Sequence, residues 1–147
     1  MQPIKTPISL LSMVGRAHQH LASQVFEQAG LYRGQPPVLF ELGEHAGILQ
    51  TDLAEILEVT AATMTKLLQR MEAAGLIRRE RDATDGRISR VYLTEAGRAA
   101  RARATLLASK MNDEVLAGLS EAELATLTNL LDRIHTNLLG QCSAKRP

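Results

Sequence analysis

Thr60, Thr63, Thr65, Lys66, Gln69 and Arg70 fall within one stretch, Val59–Gly75, and Arg78, Arg79, Asp85, Arg87 and Arg90 follow it closely. Hydroxyls, ammonium and guanidinium groups donate hydrogen bonds to phosphate oxygens. Lys, Arg and Gln also reach base edges. The chemistry on offer is therefore recognition of a polyanion, with Thr60, Thr63, Thr65, Lys66, Gln69 and Arg70 as one set of DNA contacts and Arg78, Arg79, Arg87 and Arg90 as another, Asp85 lying among the second. Bond-making chemistry finds no support. There is no nucleophile elbow, phosphate-binding loop, Cys-x-x-Cys or His-Glu-x-x-His. The four histidines, at 18, 20, 45 and 135, are scattered. His18 and His20 are spaced i, i+2 and point to different faces of a helix, a poor metal pair. No catalytic residue, metal ligand or cofactor is expected, although a metal held by His45 or His135 with nearby carboxylates stays open.

These side chains need elements to hold them. In Val59–Gly75, Met64, Leu67, Leu68 and Met71 recur at i, i+3, i+4 and i+7, the apolar stripe of a helix. Thr60 is its N-cap and Gly75 its C′ residue. The first turn, Ala-Ala-Thr, is small enough to come close to DNA. An amphipathic helix with a merely solvated polar side would look the same alone, so the neighbours decide. Before it, Gly34-Gln-Pro-Pro opens a helix that ends near Glu44–Gly47, and Ile48-Leu49 is a short apolar link or one minimal strand. Asp52–Glu58 is a short third helix with Leu53, Ala54, Ile56 and Leu57 inward. Two short helices, a tight turn and a helix with a polar outer face make a helix-turn-helix pattern. After Gly75 the period changes to two. Leu76–Arg81 and Ile88–Leu93 read as strands, joined through Asp85-Gly86, a strong turn signal. This hairpin could be a solvated ribbon. Against that, Arg78, Arg79, Arg81, Arg87 and Arg90 crowd it, which is costly unless something negative meets them.

Longer helices flank this region. Ile8–Gly30 carries Leu10, Leu11, Val14, Ala17, His18, Leu21, Val25 and Phe26 on a stripe. Thr94 caps a helix running to about Ala117. Ser120-x-x-Glu123 is a capping box for the last helix, whose stripe is Leu124, Leu127, Leu130, Leu131, Ile134 and Leu138. Terminal helices this apolar are hard to bury in one small domain, so a homodimer is expected, with Leu10, Leu11, Val14, Leu127, Leu131, Ile134 and Leu138 at its interface. The 147 residues suit a single unit. Net charge is only +1, yet Lys66–Arg103 holds ten basic and five acidic residues, leaving the remainder at −4. A basic patch on a near-neutral chain suggests a polyanion at one surface. A single cysteine, Cys142, excludes an internal disulfide and suits a reducing cytosol. No apolar h-region and no run of 18 apolar residues is present, so neither a secretory signal nor a membrane span is expected and the cytoplasm is the expected compartment. A composition of 3% aromatic residues with no Trp argues against base stacking on an RNA-type sheet.

Four features, in order, resemble the MarR family of bacterial winged helix-turn-helix regulators. They are Gln50-Thr-Asp-Leu-Ala-Glu-Ile-Leu, similar to the family's pre-recognition helix; Thr60–Gly75 with Leu76-Ile, similar to its recognition helix and first wing strand; Asp85-x-Arg87, the wing-tip pair; and Val91-Tyr-Leu-Thr-Glu-Ala-Gly97, where the wing enters the fifth helix. Arg81-Asp82 departs from the commoner aspartate–arginine arrangement before the wing. The resemblance implies a mainly α (α+β) fold: a winged helix-turn-helix at residues 34–97, flanked by N- and C-terminal dimerisation helices at 8–30 and 98–140. It implies a homodimeric transcriptional regulator, usually a repressor, on a pseudo-palindromic double-stranded DNA operator. Arg87 would read a narrow minor groove, held in place by Asp85. A small aromatic or amphipathic effector would bind between the dimerisation helices and the winged region, where Arg16, His20, Phe26, Tyr32 and Phe40 are candidates that serve equally well as core or surface. Peroxide-sensing relatives carry a reactive cysteine in the first helix; this chain has none there. An architectural DNA binder without an effector is the alternative.

Overall fold

In the computed structural model, residues 6–143 are described. The chain runs α1 (Pro7–Gln28), α2 (Gln35–Glu44), β1 (Ile48–Leu49), α3 (Gln50–Ile56), α4 (Ala61–Ala73), β2 (Ile77–Arg81), β3 (Ser89–Leu93), α5 (Glu95–Val115) and α6 (Glu121–Ser143). It is mainly helical with one small antiparallel sheet, ordered β1-β3-β2. Contacts divide it into two units, one up to Met111 and one from Asn112 onward.

The first unit holds the core. Its helices start and stop where their ends can be satisfied. The Thr6 side chain accepts from Ser9 N at 3.1 Å and Pro7 fills the first turn of α1. The Thr60 hydroxyl accepts from Thr63 N at 3.1 Å to cap α4. Gly75 ends α4 with φ +73°, a left-handed conformation that costs glycine little. Leu76 N then bonds Met71 O at 3.0 Å and Gly75 N bonds Glu72 O at 2.9 Å, the paired closure that satisfies a helix's last carbonyls. The third helix ends at Ile56, two residues short of the expected Glu58. The reason is local: Glu58 itself turns left-handed at φ +53°, and Val59 N reaches back to Ala54 O at 3.0 Å.

Inside, Val38, Leu39, Leu53, Met64, Leu68, Met71 and Val91 are fully buried, with Leu31, Leu42, Ile77 and Leu93 beside them. The stripe of α4 is thus what the periodicity predicts, with Leu67 half-buried at its edge. In β3, Val91 and Leu93 face in and Arg90 and Tyr92 face the other way, as alternation requires. Register pairs Ile77 with Leu93, Arg79 with Val91 and Arg81 with Ser89 on the β2 side, and Ile48 with Val91 on the β1 side. The start of α5 is pinned to the end of α4. Thr94 Oγ1 donates to Gly75 O at 2.5 Å and Thr94 N to Leu76 O at 3.1 Å. Here Gly97 is required for space, since a Cβ at that position would lie 1.9 Å from Leu76 O.

In contrast, α1 buries no residue completely, and Leu10 and Val14 are exposed. In the second unit the Ser120–Glu123 box forms as its spacing predicts: Glu123 N donates to Ser120 Oγ at 3.2 Å and Ser120 N to Glu123 Oε2 at 2.8 Å. The bond from Ser120 N holds the Glu123 carboxyl below its usual range. Among the residues of α6 whose burial is described, none is buried; Leu127, Leu131 and Leu138 are exposed and Ile134 is half-buried. Among the described residues no helix is long and apolar enough to cross a membrane.

Candidate nucleic-acid interface

The polar side of α4 is the first part of the site. Burying Met64, Leu68 and Met71 turns Thr63, Lys66, Gln69 and Arg70 outward, and all four are exposed. Thr60 donates its hydroxyl proton to Thr63 Oγ1 at 2.9 Å while accepting from Thr63 N, so both threonines shape the helix start. Thr65 is half-buried, and its hydroxyl accepts from Gln50 Nε2 at 2.9 Å. Gln50 therefore ties the first turn of α3 to α4. Spacing alone assigned it no such role.

The second part is the wing, β2 and β3 with the tip 82–88 between them. The basic side chains of this region divide into two groups. Arg79 Nε and a terminal nitrogen bond Glu72 Oε2 at 3.0 and 2.6 Å, and Arg79 N bonds Glu72 Oε1 at 3.3 Å. The Arg79 guanidinium beside Glu72 holds that carboxyl below its usual range. Arg78 pairs with Glu80 and lies 4.5 Å from the Tyr92 ring centre, a cation–π contact. Arg90 Nε bonds Asp82 Oδ2 at 2.7 Å, and its Nη1 donates to Gly47 O at 3.0 Å. Arg101, on α5, pairs with Glu44. These four are engaged inside the chain. Lys66, Arg70, Arg81 and Arg87 are exposed and make no ion pair among the described residues. A cleft of about 470 Å³ opens beside the last turn of α4, with Arg81, Arg87 and Ser89 in its walls.

At the tip, the Asp85 carboxylate accepts from Arg87 N at 3.0 Å. The contact falls on the Arg87 backbone N–H. Asp82, given no role by the sequence reading, is the most heavily bonded side chain in the wing. Its Oδ1 accepts from Thr84 N at 2.9 Å, Thr84 Oγ1 at 2.6 Å and Asp85 N at 3.3 Å. These bonds, the one from the Thr84 hydroxyl foremost, push its carboxyl far below the usual range. An aspartate two residues before a threonine at a turn is the signal that could have found it.

Of the candidate effector residues, Phe26 and Phe40 pack against the core, whereas Arg16, His20 and Tyr32 are exposed. His45 lies 3.5 Å from the Glu41 carboxylate one helical turn away. Among the described residues no group of three or more His, Cys, Asp or Glu is placed to hold a metal ion.

A three-helix lobe with a short strand and a basic hairpin is a winged helix-turn-helix. The MarR family model matches residues 29–88. The transcriptional regulator HosA of Escherichia coli is 34% identical over 116 residues, covering 79% of this chain and 86% of HosA. A crystal structure of the transcriptional regulator SlyA superposes with a TM-score of 0.87 at 29% identity, over 97% of this chain and 100% of that one. The Staphylococcus aureus MepR–DNA complex gives 0.80 at 28% identity, over 90% and 96%. The chain belongs to the MarR family and is a transcriptional regulator, not an enzyme.

Proposed function

We propose that this regulator binds a pseudo-palindromic DNA operator as a homodimer, acts as a repressor, and is tuned by a small aromatic or amphipathic molecule. Residues 34–97 form the DNA-binding region in this reading, and residues 8–30 and 98–140 carry dimerisation. The observation that carries it is the set of exposed donors on α4 and in the wing: Thr63, Lys66, Gln69 and Arg70, then Arg81 and Arg87, which make no ion pair among the described residues. The capture of MepR on DNA supports the same use of the lobe. Helix α4 is the part that enters a major groove, and Arg87 reaches the adjacent minor groove. Arg78, Arg79 and Arg90 are then chiefly scaffold, with phosphate contact only from their exposed edges.

Dimerisation is supported by α1 and α6, each of which leaves an apolar face uncovered by its own unit. Leu131→Arg should weaken self-association and DNA binding together, read by sedimentation; a wild type that stays monomeric at micromolar concentration overturns the dimer. The effector reading is supported by the exposed Arg16 and His20 on α1 and the exposed Tyr32 that follows it, and is tested by titrating aromatic carboxylates into the DNA complex.

The deciding experiment is selection of bound sequences from random DNA, with affinity followed against salt. Each phosphate neutralised contributes a slope of about −0.9 in log affinity against log salt. With two subunits, roughly 6–10 contacts give a loss of about 10³–10⁵ between 50 and 200 mM salt. Arg87→Ala should lower affinity at all sites, most at those with A·T-rich flanks. A flat salt response, or an Arg87→Ala protein that binds like wild type, contradicts the reading.

A further inference from the structure

We propose that Asp82 is a positioning residue for DNA recognition, holding the wing tip in the one shape that presents Arg87 outward and referring that shape to the body of the lobe through Arg90 and the Gly47 carbonyl. The inference rests on the reading of the wing given above.

An acid is an unexpected choice beside a surface meant for a polyanion, because its charge repels phosphates. The geometry explains its presence. Ala83, Thr84, Asp85, Gly86 and Arg87 are all exposed, so no apolar packing orders the tip. Hydrogen bonds must do so. Asp82 gathers four of them with one side chain that is itself only 11% exposed. Its Oδ1 draws in the N–H groups of Thr84 and Asp85. Asp85 in turn accepts from Arg87 N at 3.0 Å, and Asp82 N and Ile88 N close the loop on Ile88 O and Asp85 O at 2.9 and 3.0 Å. Through Asp82 the path to Arg87 has one intermediate residue.

The other oxygen faces back toward the sheet. Oδ2 accepts from Arg90 Nε, and Arg90 Nη1 donates to Gly47 O, in the corner between α2 and β1. The tip is thereby fixed against the lobe as well as against its own strands. The same ion pair offsets the charge of Asp82 and withdraws Arg90 from phosphate binding. Ionisation is secure at working pH, because the donors around the carboxylate hold it charged.

The sign of the effect separates this role from the alternatives. If Asp82 were a spectator, Asp82→Ala would remove repulsion, release Arg90 toward phosphate and strengthen binding. A positioning role requires the opposite: a tip that must be ordered on DNA loses roughly tenfold in affinity, the scale of fixing one residue's backbone. Asp82→Asn retains an acceptor for Thr84 N and Asp85 N but loses the ion pair, so its loss should be smaller. Affinity for one selected operator is measured for Asp82→Ala, Asp82→Asn, Arg87→Ala and the double variant, well below each melting temperature. The Arg87 amide is followed by ¹⁵N relaxation in the free protein.

The expected result is wild type tighter than Asp82→Asn and Asp82→Asn tighter than Asp82→Ala, with less than about a further twofold loss when Asp82→Ala is added to Arg87→Ala. The Arg87 amide should become more mobile in step. Should Asp82→Ala fail to fold, Asp82→Asn and its double with Arg87→Ala carry the same comparison. Equal or tighter binding by the Asp82 variants, or full additivity with Arg87→Ala, overturns the proposal while leaving the wing as a DNA reader. If Arg87→Ala itself binds like wild type, the reading of the wing falls and this role falls with it.

Discussion

Helix α4 turns Met64, Leu68 and Met71 into the core with no exposure at all, whereas no residue from Ala83 to Arg87 at the wing tip is buried. Both present exposed donors, yet they are built differently. In α4 the polar face is a by-product of burial: once three apolar side chains are inside, helical geometry puts Thr63, Lys66, Gln69 and Arg70 outside. At the tip nothing is buried, and shape comes from carboxylates that collect backbone N–H groups. Packing is cooperative and resists local change. A hydrogen-bonded tip can be reshaped by one substitution without threatening the fold. A lobe of this kind can therefore alter its wing more freely than its helix.

The comparison breaks most visibly in the core. Leu68→Ala should cost about 2–5 kcal/mol of stability, the range for truncating a fully buried leucine. It should remove DNA binding only by unfolding the lobe. Denaturant titration measures the first, and binding measured far below the midpoint tests the second. If Leu68→Ala were as stable as wild type, the face of α4 would not depend on packing.

A smaller effect sharpens the contrast from the outer side. Gln69 is exposed and its side chain makes no hydrogen bond among the described residues, so Gln69→Ala should leave stability within about 0.5 kcal/mol. Where it reads a base, about 1–3 kcal/mol of discrimination should vanish at one or two operator positions per half-site. Selection from random DNA shows this as a relaxed motif with unchanged flanks. An unchanged motif would assign Gln69 to the solvated surface.

These two regions also differ in how far they could be read from the sequence. Helix α4 was legible in full: its stripe, the Thr60 cap and Gly75 are local patterns, and each corresponds to a bond or a burial in the structure. The hairpin was legible as a hairpin, through alternation and Asp85-Gly86. Its charge pairing was not. Sequence shows that Arg79, Arg90 and Arg101 are basic, but not that Glu72, Asp82 and Glu44 meet them, the last across 57 residues. Register could have supplied part of this, since it sets Arg78 opposite Tyr92 and Glu80 opposite Arg90. The turn at Glu58-Val-Thr was legible, but its left-handed conformation was not, for a different reason. A left-handed turn usually calls for glycine or asparagine, and here tertiary closure between α3 and α4 imposes it on a glutamate.

The smallest expected effect concerns the joint between the two regions, Glu72 on the last turn of α4 and Arg79 on β2. The pair is partly exposed, at 39% and 25% of the side chains, so solvent screening limits it to about 0.2–1 kcal/mol. Its pH dependence has a definite sign. Arg79 lowers the Glu72 carboxyl below its usual value in the folded chain. The folded state therefore binds that proton less readily than the unfolded state. The stabilisation is fully present above the unfolded carboxyl range near pH ~4.3 and is lost as pH falls through the folded value. Asp82 and Glu123 are lowered too and lose stabilisation in the same direction, so wild type alone cannot isolate one pair. Glu72→Gln can. Its stability difference from wild type should be constant from pH 8 to about 6 and should shrink below about 5. Urea midpoints measured across that range decide it. A gap that widens in acid would mean that Arg79 does not favour the charged form of Glu72, and the joint between α4 and the wing would then rest on packing, as α4 itself does.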